Sequence, residues 1–428
     1  MRKVLLFSSL LLLGLIGSQI LPRIIGTEYA VLGNFVRIMT MAGLAFIMIH
    51  VGYEFDIDKS NLKQYGWDYF VAFTAASFPW IFVTFYFVFV LLPPDTWSSV
   101  DAWRETLLAG RFASPTSAGV LFSMLAAAGL GNTWLFRKAR ILAIFDDLDT
   151  VLLMIPLKML MVGLAWQLGV VIVVMALMVT VAYVFLHKIR IPITWPWVLG
   201  YAGGITGISE LIYSGSKIID ESVPIHIEVL LPAFVLGCVV AYPTGQSAHG
   251  VIDSSSERRA SMLVASVFMV LVGLSMPMVL GSASESGKRA IESTIEPTLR
   301  AAGAPTGEAA AAEVGTLIGL GRVTAMQPAM SWALITLHVL LVTIVSNLGK
   351  MFPALCYREK AHWRERLALA VGMWPRGEVG AGVLVISLSY GIGGPIVTIA
   401  MLSLALNLLL TGVFIYMVKK ITARSLSS

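Results

Sequence analysis

Charge is scarce in this 428-residue chain: Asp, Glu, Lys and Arg together make up 13%, against about a quarter in an ordinary soluble domain. With 57% apolar residues and a mean hydropathy of +0.83, a soluble globular class is excluded. Cysteine is nearly absent, and the only two, Cys238 and Cys356, lie in or beside apolar stretches without metal-ligand spacing. Neither a disulfide framework nor a zinc site is indicated. The formal net charge is +5, but the basic residues form no long run, so nucleic acid is not an expected partner. There is no Gly-x-Gly-Asp and no His-Glu-x-x-His, which argues against an intramembrane aspartyl protease and against a metalloprotease.

What is present is a succession of apolar runs of the length that crosses a bilayer core, about 20 residues each. Hydropathy places spans at 4–20, 34–55, 66–92, 104–127, 138–161, 164–186, 193–213, 224–242, 260–280, 329–355, 364–388 and 394–418. The expected fold class is an all-α polytopic membrane protein with about twelve transmembrane helices, its partner the lipid bilayer. Basic residues such as Arg137, Lys138, Arg140, Lys188, Arg190, Arg358 and Lys360 gather on one side, and few, chiefly Arg23, Arg37, Arg104 and Lys217, fall on the other. Positive residues accumulate in cytoplasmic loops, so both termini are expected inside a cell (inner) membrane. Met1-Arg2-Lys3 before an apolar run also mimics a signal peptide, but the run is long for a signal core and lacks a clear small-x-small cleavage site. One long loop, 281–328, is expected outside and partly helical around 309–313.

The most costly stretch is Phe145-Asp146-Asp147-Leu148-Asp149, inside the fifth span. An ionised Asp at the centre of a membrane helix costs roughly 2.5–3.5 kcal/mol on insertion scales, so such residues face a protein interior or a water-filled cavity. Adjacent acids diverge by about 100° around a helix and so meet different partners. The fourth and eleventh spans are interrupted at matching places, Ser114-Pro115-Thr116-Ser117 and Trp374-Pro375-Arg376-Gly377-Glu378. Each proline follows eleven residues after an arginine, Arg104 or Arg364. Paired breaks in oppositely running helices point to an inverted-repeat secondary transporter with its site near the membrane midplane. Spans three to five would then pair with ten to twelve.

Arg111, Lys158, Lys350 and Arg376 do not fit into loops. At 1.5 Å per residue, Asp146 falls about 12 Å from the start of the fifth span, and Lys350 about 10 Å from the same side for a tenth span helical to Tyr357, so they are candidates for a buried ion pair. That pair is either structural or part of a device. Asp147, the hydroxyls of Thr116 and Ser117, and carbonyls freed at the break offer oxygen ligands to a monovalent cation, which would compete with protons for the spare carboxylate. Pro115, Pro375, Arg376 and Glu378 are read as support for the crossing helices or as a gate, and Asp149 as a reserve acid.

Taken in order, several motifs resemble the bacterial sodium/proton antiporters of the monovalent cation/proton antiporter superfamily, in the branch with an Asp-Asp pair. They are His50-Val51-Gly52-Tyr53-Glu54-Phe55-Asp56, Ser114-Pro115-Thr116-Ser117, Asp146-Asp147, Val272-Gly273-Leu274-Ser275-Met276, Lys350 and Pro375-Arg376-Gly377-Glu378-Val379-Gly380. The resemblance spans about residues 35–415. It implies a homodimer, with a core ion-translocation bundle (66–161 and 329–418) moving against a dimerisation or scaffold bundle (4–55 and 193–280) across a linker helix (164–186). It implies Asp147 as the main Na+ ligand, Asp146 paired with Lys350 and exchanging a proton as the bridge breaks and reforms, and electrogenic exchange of two protons for one sodium ion. Transported Na+ and H+ are then substrates, with no resident cofactor and no enzymatic activity. The chain departs from the family in a shortened N-terminal region, the long loop before span ten, and the extra acid Asp149. Potassium/proton exchange, electroneutral or electrogenic, is the competing expectation.

Overall fold

The computed structural model describes residues 2–25, 29–53, 62–162, 166–219, 229–241, 255–276, 322–325, 327–328, 330–389 and 392–425. Most of the long loop and the Glu54-Phe55-Asp56 end of the second-span motif lie outside the described residues. Among the described residues there is no strand, only an isolated bridge of Ile189 with Val240. The helices are α1 (Arg2–Ile25), α2 (Tyr29–Tyr53), α3 (Leu62–Tyr86), α4 (Val100–Gly110), α5 (Ala118–Ala127), α6 (Trp134–Val162) and α7 (Trp166–Val184). After these come α8 (Trp195–Ile219), α9 (Leu230–Val239), α10 (Ser255–Leu274), α11 (Trp332–Gly349), α12 (Trp363–Gly372), α13 (Glu378–Ser389) and α14 (Gly394–Ser425). Among the described residues, five segments are long and apolar enough to cross a membrane: Lys3–Ile25, Val31–Tyr53, Lys63–Leu91, Trp332–Leu355 and Gly394–Ala423.

Helix α11 shows how the solvent dictates the pattern. Leu337, Leu340, Ile344 and Leu348 face outward, whereas Thr343, Ser346 and Asn347 are buried. A soluble helix does the reverse; in lipid the polar side chains turn inward to find partners. The chain is therefore a multi-pass membrane protein with a polar interior.

Helices α3, α6, α11, α12 and α14 pack together around the two breaks, α4/α5 and α12/α13. Beside them α1 packs on α10, and α2 on α8 and α9. These last contacts are close because they run over glycine. A Cβ added at Gly273 of α10 would lie 2.4 Å from the Leu11 carbonyl oxygen, and one at Gly237 of α9 would lie 2.2 Å from that of Ile49. Gly273→Ala is therefore expected to lower stability by about 1–3 kcal/mol, the usual range for overpacking. Gly33→Ala meets nothing within 4 Å and serves as the control. Thermal melting in detergent separates the two; equal melting would contradict the close packing.

Two boundaries differ from the sequence expectation. Helix α6 starts at Trp134 instead of at 138, so Arg137, expected just before the span, joins Lys138 and Arg140 in its first turns. Lys138 is buried and paired with Asp68 at 2.8 Å. Arg37, expected outside, lies within α2 and grips Glu210 of α8 through two hydrogen bonds of 2.6 and 2.7 Å.

Candidate functional site

The first break follows from Pro115, which lacks an N–H and clashes with the turn before it. Helix α4 tightens into a 3-10 turn at Arg111–Ala113, and the backbone reaches extended geometry at Ser117 before α5 begins. Pro375 has the same consequence between α12 and α13. The two non-helical stretches cross. The Ser117 N–H donates to the Pro375 carbonyl at 3.0 Å, and the Thr116 hydroxyl to that of Met373 at 3.1 Å. Contact this close requires Gly377, where a Cβ would stand 2.9 Å from Ser117 Oγ.

Helix α6 presents Asp146 to this crossing. Its Oδ2 accepts from the Thr116 N–H at 2.8 Å and from Lys350 Nζ at 3.0 Å. Both side chains are wholly buried. Lys350 also donates to the Thr116 hydroxyl at 2.6 Å, so the ammonium has two acceptors. It stands at the C-terminal cap of α11, where a cation is favoured by the helix dipole. Its neighbour Gly349 admits the close approach of α3, because a Cβ there would fall 2.6 Å from Pro79 Cα.

Asp147 is 6% exposed, on the adjoining part of α6. Asp149, one turn beyond Asp146, is buried, with the Tyr69 hydroxyl facing its carboxyl group. Arg111 donates to Ser114 Oγ at 2.7 Å and to the Asp149 main-chain carbonyl at 3.1 Å, with its guanidinium 4.8 Å from the centre of the Trp80 ring.

Arg376 spans the crossing. It donates to the carbonyls of Ala113 and Ser346, at 2.9 and 3.0 Å, and to Asn347 Oδ1 at 2.7 Å. Ala113 ends the first half-helix and Ser346 lies in the last turn of α11. Arg376 thus sets one positive charge against two negative dipole ends, while Asp146 lies near the positive end of α5. Among the described residues neither Arg111 nor Arg376 has a carboxylate within ion-pair distance.

Among the described side chains, the crossing gathers three buried cations, Arg111, Lys350 and Arg376, with three buried acids, Asp146, Asp147 and Asp149. These six charges balance when every acid is ionised, and either a proton or a monovalent metal ion adds the same single charge. The hydroxyl of Thr116, an expected cation ligand, is already engaged with Lys350 and Met373. Ser117 is buried at the start of α5, and Pro115 and Pro375 are buried at the breaks. Glu378 opens α13, but its side chain and that of Lys158 lie outside what is described.

Sequence reasoning missed the second buried ion pair, Asp68 with Lys138, and the Tyr357 hydroxyl that donates to Asp68 at 2.7 Å. The available signal was an Asp inside an apolar span. It also missed Asn347 and the Ser346 carbonyl as partners of Arg376.

No family model and no curated protein matches the sequence. Among solved structures, the chain is similar to the sodium proton antiporter MjNhaP1 from Methanocaldococcus jannaschii at pH 8, with a TM-score of 0.52 and 17% identity over 95% of this chain and 89% of that one. At that identity the likeness establishes a shared fold.

Proposed function

We propose that this chain is a secondary active transporter that exchanges Na+ for H+ by alternating access, working electrogenically as a homodimer in the cell membrane. The observation that carries the reading is the Asp146–Lys350 pair at the contact of two broken helices, with a second acid beside it. The structural neighbour is itself named a sodium proton antiporter, which agrees with it.

In this reading Asp147 binds the cation or a proton in turn. Protonation of Asp146 neutralises the acceptor of Lys350, and Thr116 keeps hold of the ammonium at its second acceptor. Loss of the Asp146 charge therefore loosens the pair without stranding the cation, as a reversible proton step requires. The bundle formed by α3–α6 and α11–α14 is the moving core, and α1, α2 and α8–α10 form the scaffold and the dimer interface.

Proteoliposomes loaded with a pH-sensitive dye test the reading across Na+, Li+ and K+, with membrane potential clamped or free. Sodium-dependent proton efflux that responds to an imposed voltage is expected. Exchange with K+ alone, or without response to voltage, overturns the selectivity or the electrogenicity; no exchange with any of the ions overturns the transporter reading.

A further inference from the structure

A second buried charge cluster lies outside the crossing. Lys138 of α6 and Asp68 of α3 are joined at 2.8 Å, both buried, and the Tyr357 hydroxyl donates to the other Asp68 oxygen at 2.7 Å. The Lys138 ammonium also stands 5.0 Å from the centre of the Tyr357 ring, and Trp134 meets that ring edge-on at 5.9 Å. Every oxygen of Asp68 is thus satisfied, so the cluster is no vacant binding site. Tyr357 has φ of 59°, a conformation rare for an aromatic residue, which persists where surrounding contacts over-determine it. Arg366 of α12 adds hydrogen bonds to the Ala354 and Cys356 carbonyls just before it. Burial, and then the adjacent Asp68 carboxylate, push the Tyr357 phenol up, so it stays a donor.

The cluster joins the same two chain segments as the ion pair at the crossing. Lys138 lies eight residues before Asp146, about 12 Å along α6. Tyr357 follows Lys350 by seven residues. Resting on the antiporter reading above, we propose that Asp68, Lys138 and Tyr357 are positioning residues, a strut that fixes the axial register of α6 against the end of α11 and so holds Lys350 on Asp146 instead of Asp147. A pair that must open and close during turnover needs a fixed reference nearby. When the strut is loosened, the Lys350 ammonium reaches the next acid along α6, Asp147, and competes there with the transported cation.

The test is exchange kinetics in proteoliposomes for Tyr357→Phe, Lys138→Arg and the paired change Asp68→Asn with Lys138→Met, which leaves no buried charge unbalanced. For Tyr357→Phe and the double variant the KM for Na+ is expected to rise about tenfold, the low end of what outer-shell partners of a metal site contribute, while the rate at saturating Na+ is retained. Lys138→Arg, which keeps the charge and the donor to Asp68, restores a KM close to wild type. An unchanged KM in both altered forms, with only lower melting temperature or lower maximal rate, overturns the proposal and leaves a purely structural pair. Failure of the wild-type protein to exchange any cation is a different result, which overturns the antiporter reading itself.

Discussion

Replacing Asp147 with Asn is expected to reduce cation/proton exchange to the level of protein-free vesicles while the protein remains folded. Asn has the shape of Asp but neither ionises nor takes up a proton at neutral pH, so both exchanged species lose their site. The fold is spared because Asn keeps the shape of Asp and several further bonds tie the crossing together. Thr116 and Lys350 bind Asp146, Ser117 binds Pro375, and Arg376 binds Ala113, Ser346 and Asn347. Removing one negative charge from the balanced set also leaves the variant permanently in the charge state of the proton-loaded form. Size-exclusion chromatography and thermal melting establish the fold, and dye-reported exchange measures activity. Substantial sodium-dependent exchange by the folded variant would sink the assignment of Asp147 as the ion carrier.

The neighbouring acid is expected to respond differently. Asp146→Asn keeps the shape and a carbonyl oxygen for Thr116 and Lys350 but loses the charge facing the ammonium. In the proposed reading two adjacent residues of one type separate into a carrier and an ion-pair partner, and the separation comes from the roughly 100° that divides them on the helix.

Much of this arrangement is legible in the sequence, for a definite reason. A charge inside an apolar run is costly, so Asp146, Asp147, Lys350, Arg111 and Arg376 stood out against their surroundings, and a proline breaks a helix wherever it falls. The similar depths of Asp146 and Lys350 follow from helical rise on the premise of a tenth span helical to Tyr357; the helix instead ends at Gly349 with Lys350 as its C-cap, and the two side chains meet all the same. Lys138 was less legible because Arg137 and Arg140 flank it at the expected start of the fifth span, where a basic cluster at the cytoplasmic end is the simpler reading. In the fold the α6 helix begins earlier and carries that cluster inward, where Lys138 meets Asp68. The partners of Arg376 were hidden for another reason. Two of them are main-chain carbonyls freed by helix ends, and a carbonyl leaves no mark in a sequence. Thr116 was identified as polar and well placed, yet its hydroxyl serves Lys350, a pairing that depends on the crossing of segments more than 230 residues apart.

Replacing Lys350 with Ala is expected to cost about 3–5 kcal/mol of stability, because breaking a buried ion pair from one side leaves the other charge without compensation. Asp146 would retain the Thr116 N–H at 2.8 Å but lose its ammonium partner at 3.0 Å, and its Oδ1 already has no hydrogen-bond partner among the described residues. The least costly response for a carboxylate stranded there is to take up a proton and hold it. Two consequences follow together: a lower melting temperature, and exchange that no longer responds to proton supply at Asp146. Lys350→Ala combined with Asp146→Asn is then expected to recover part of the lost stability, since the uncompensated charge is gone, without recovering the proton response. Thermal melting of the two single variants and the double variant gives the coupling energy, and exchange at several external pH values reads the proton response. Strictly additive destabilisation would mean that the 3.0 Å contact carries no coupling. The ion pair would then be dispensable to both the fold and the proton step.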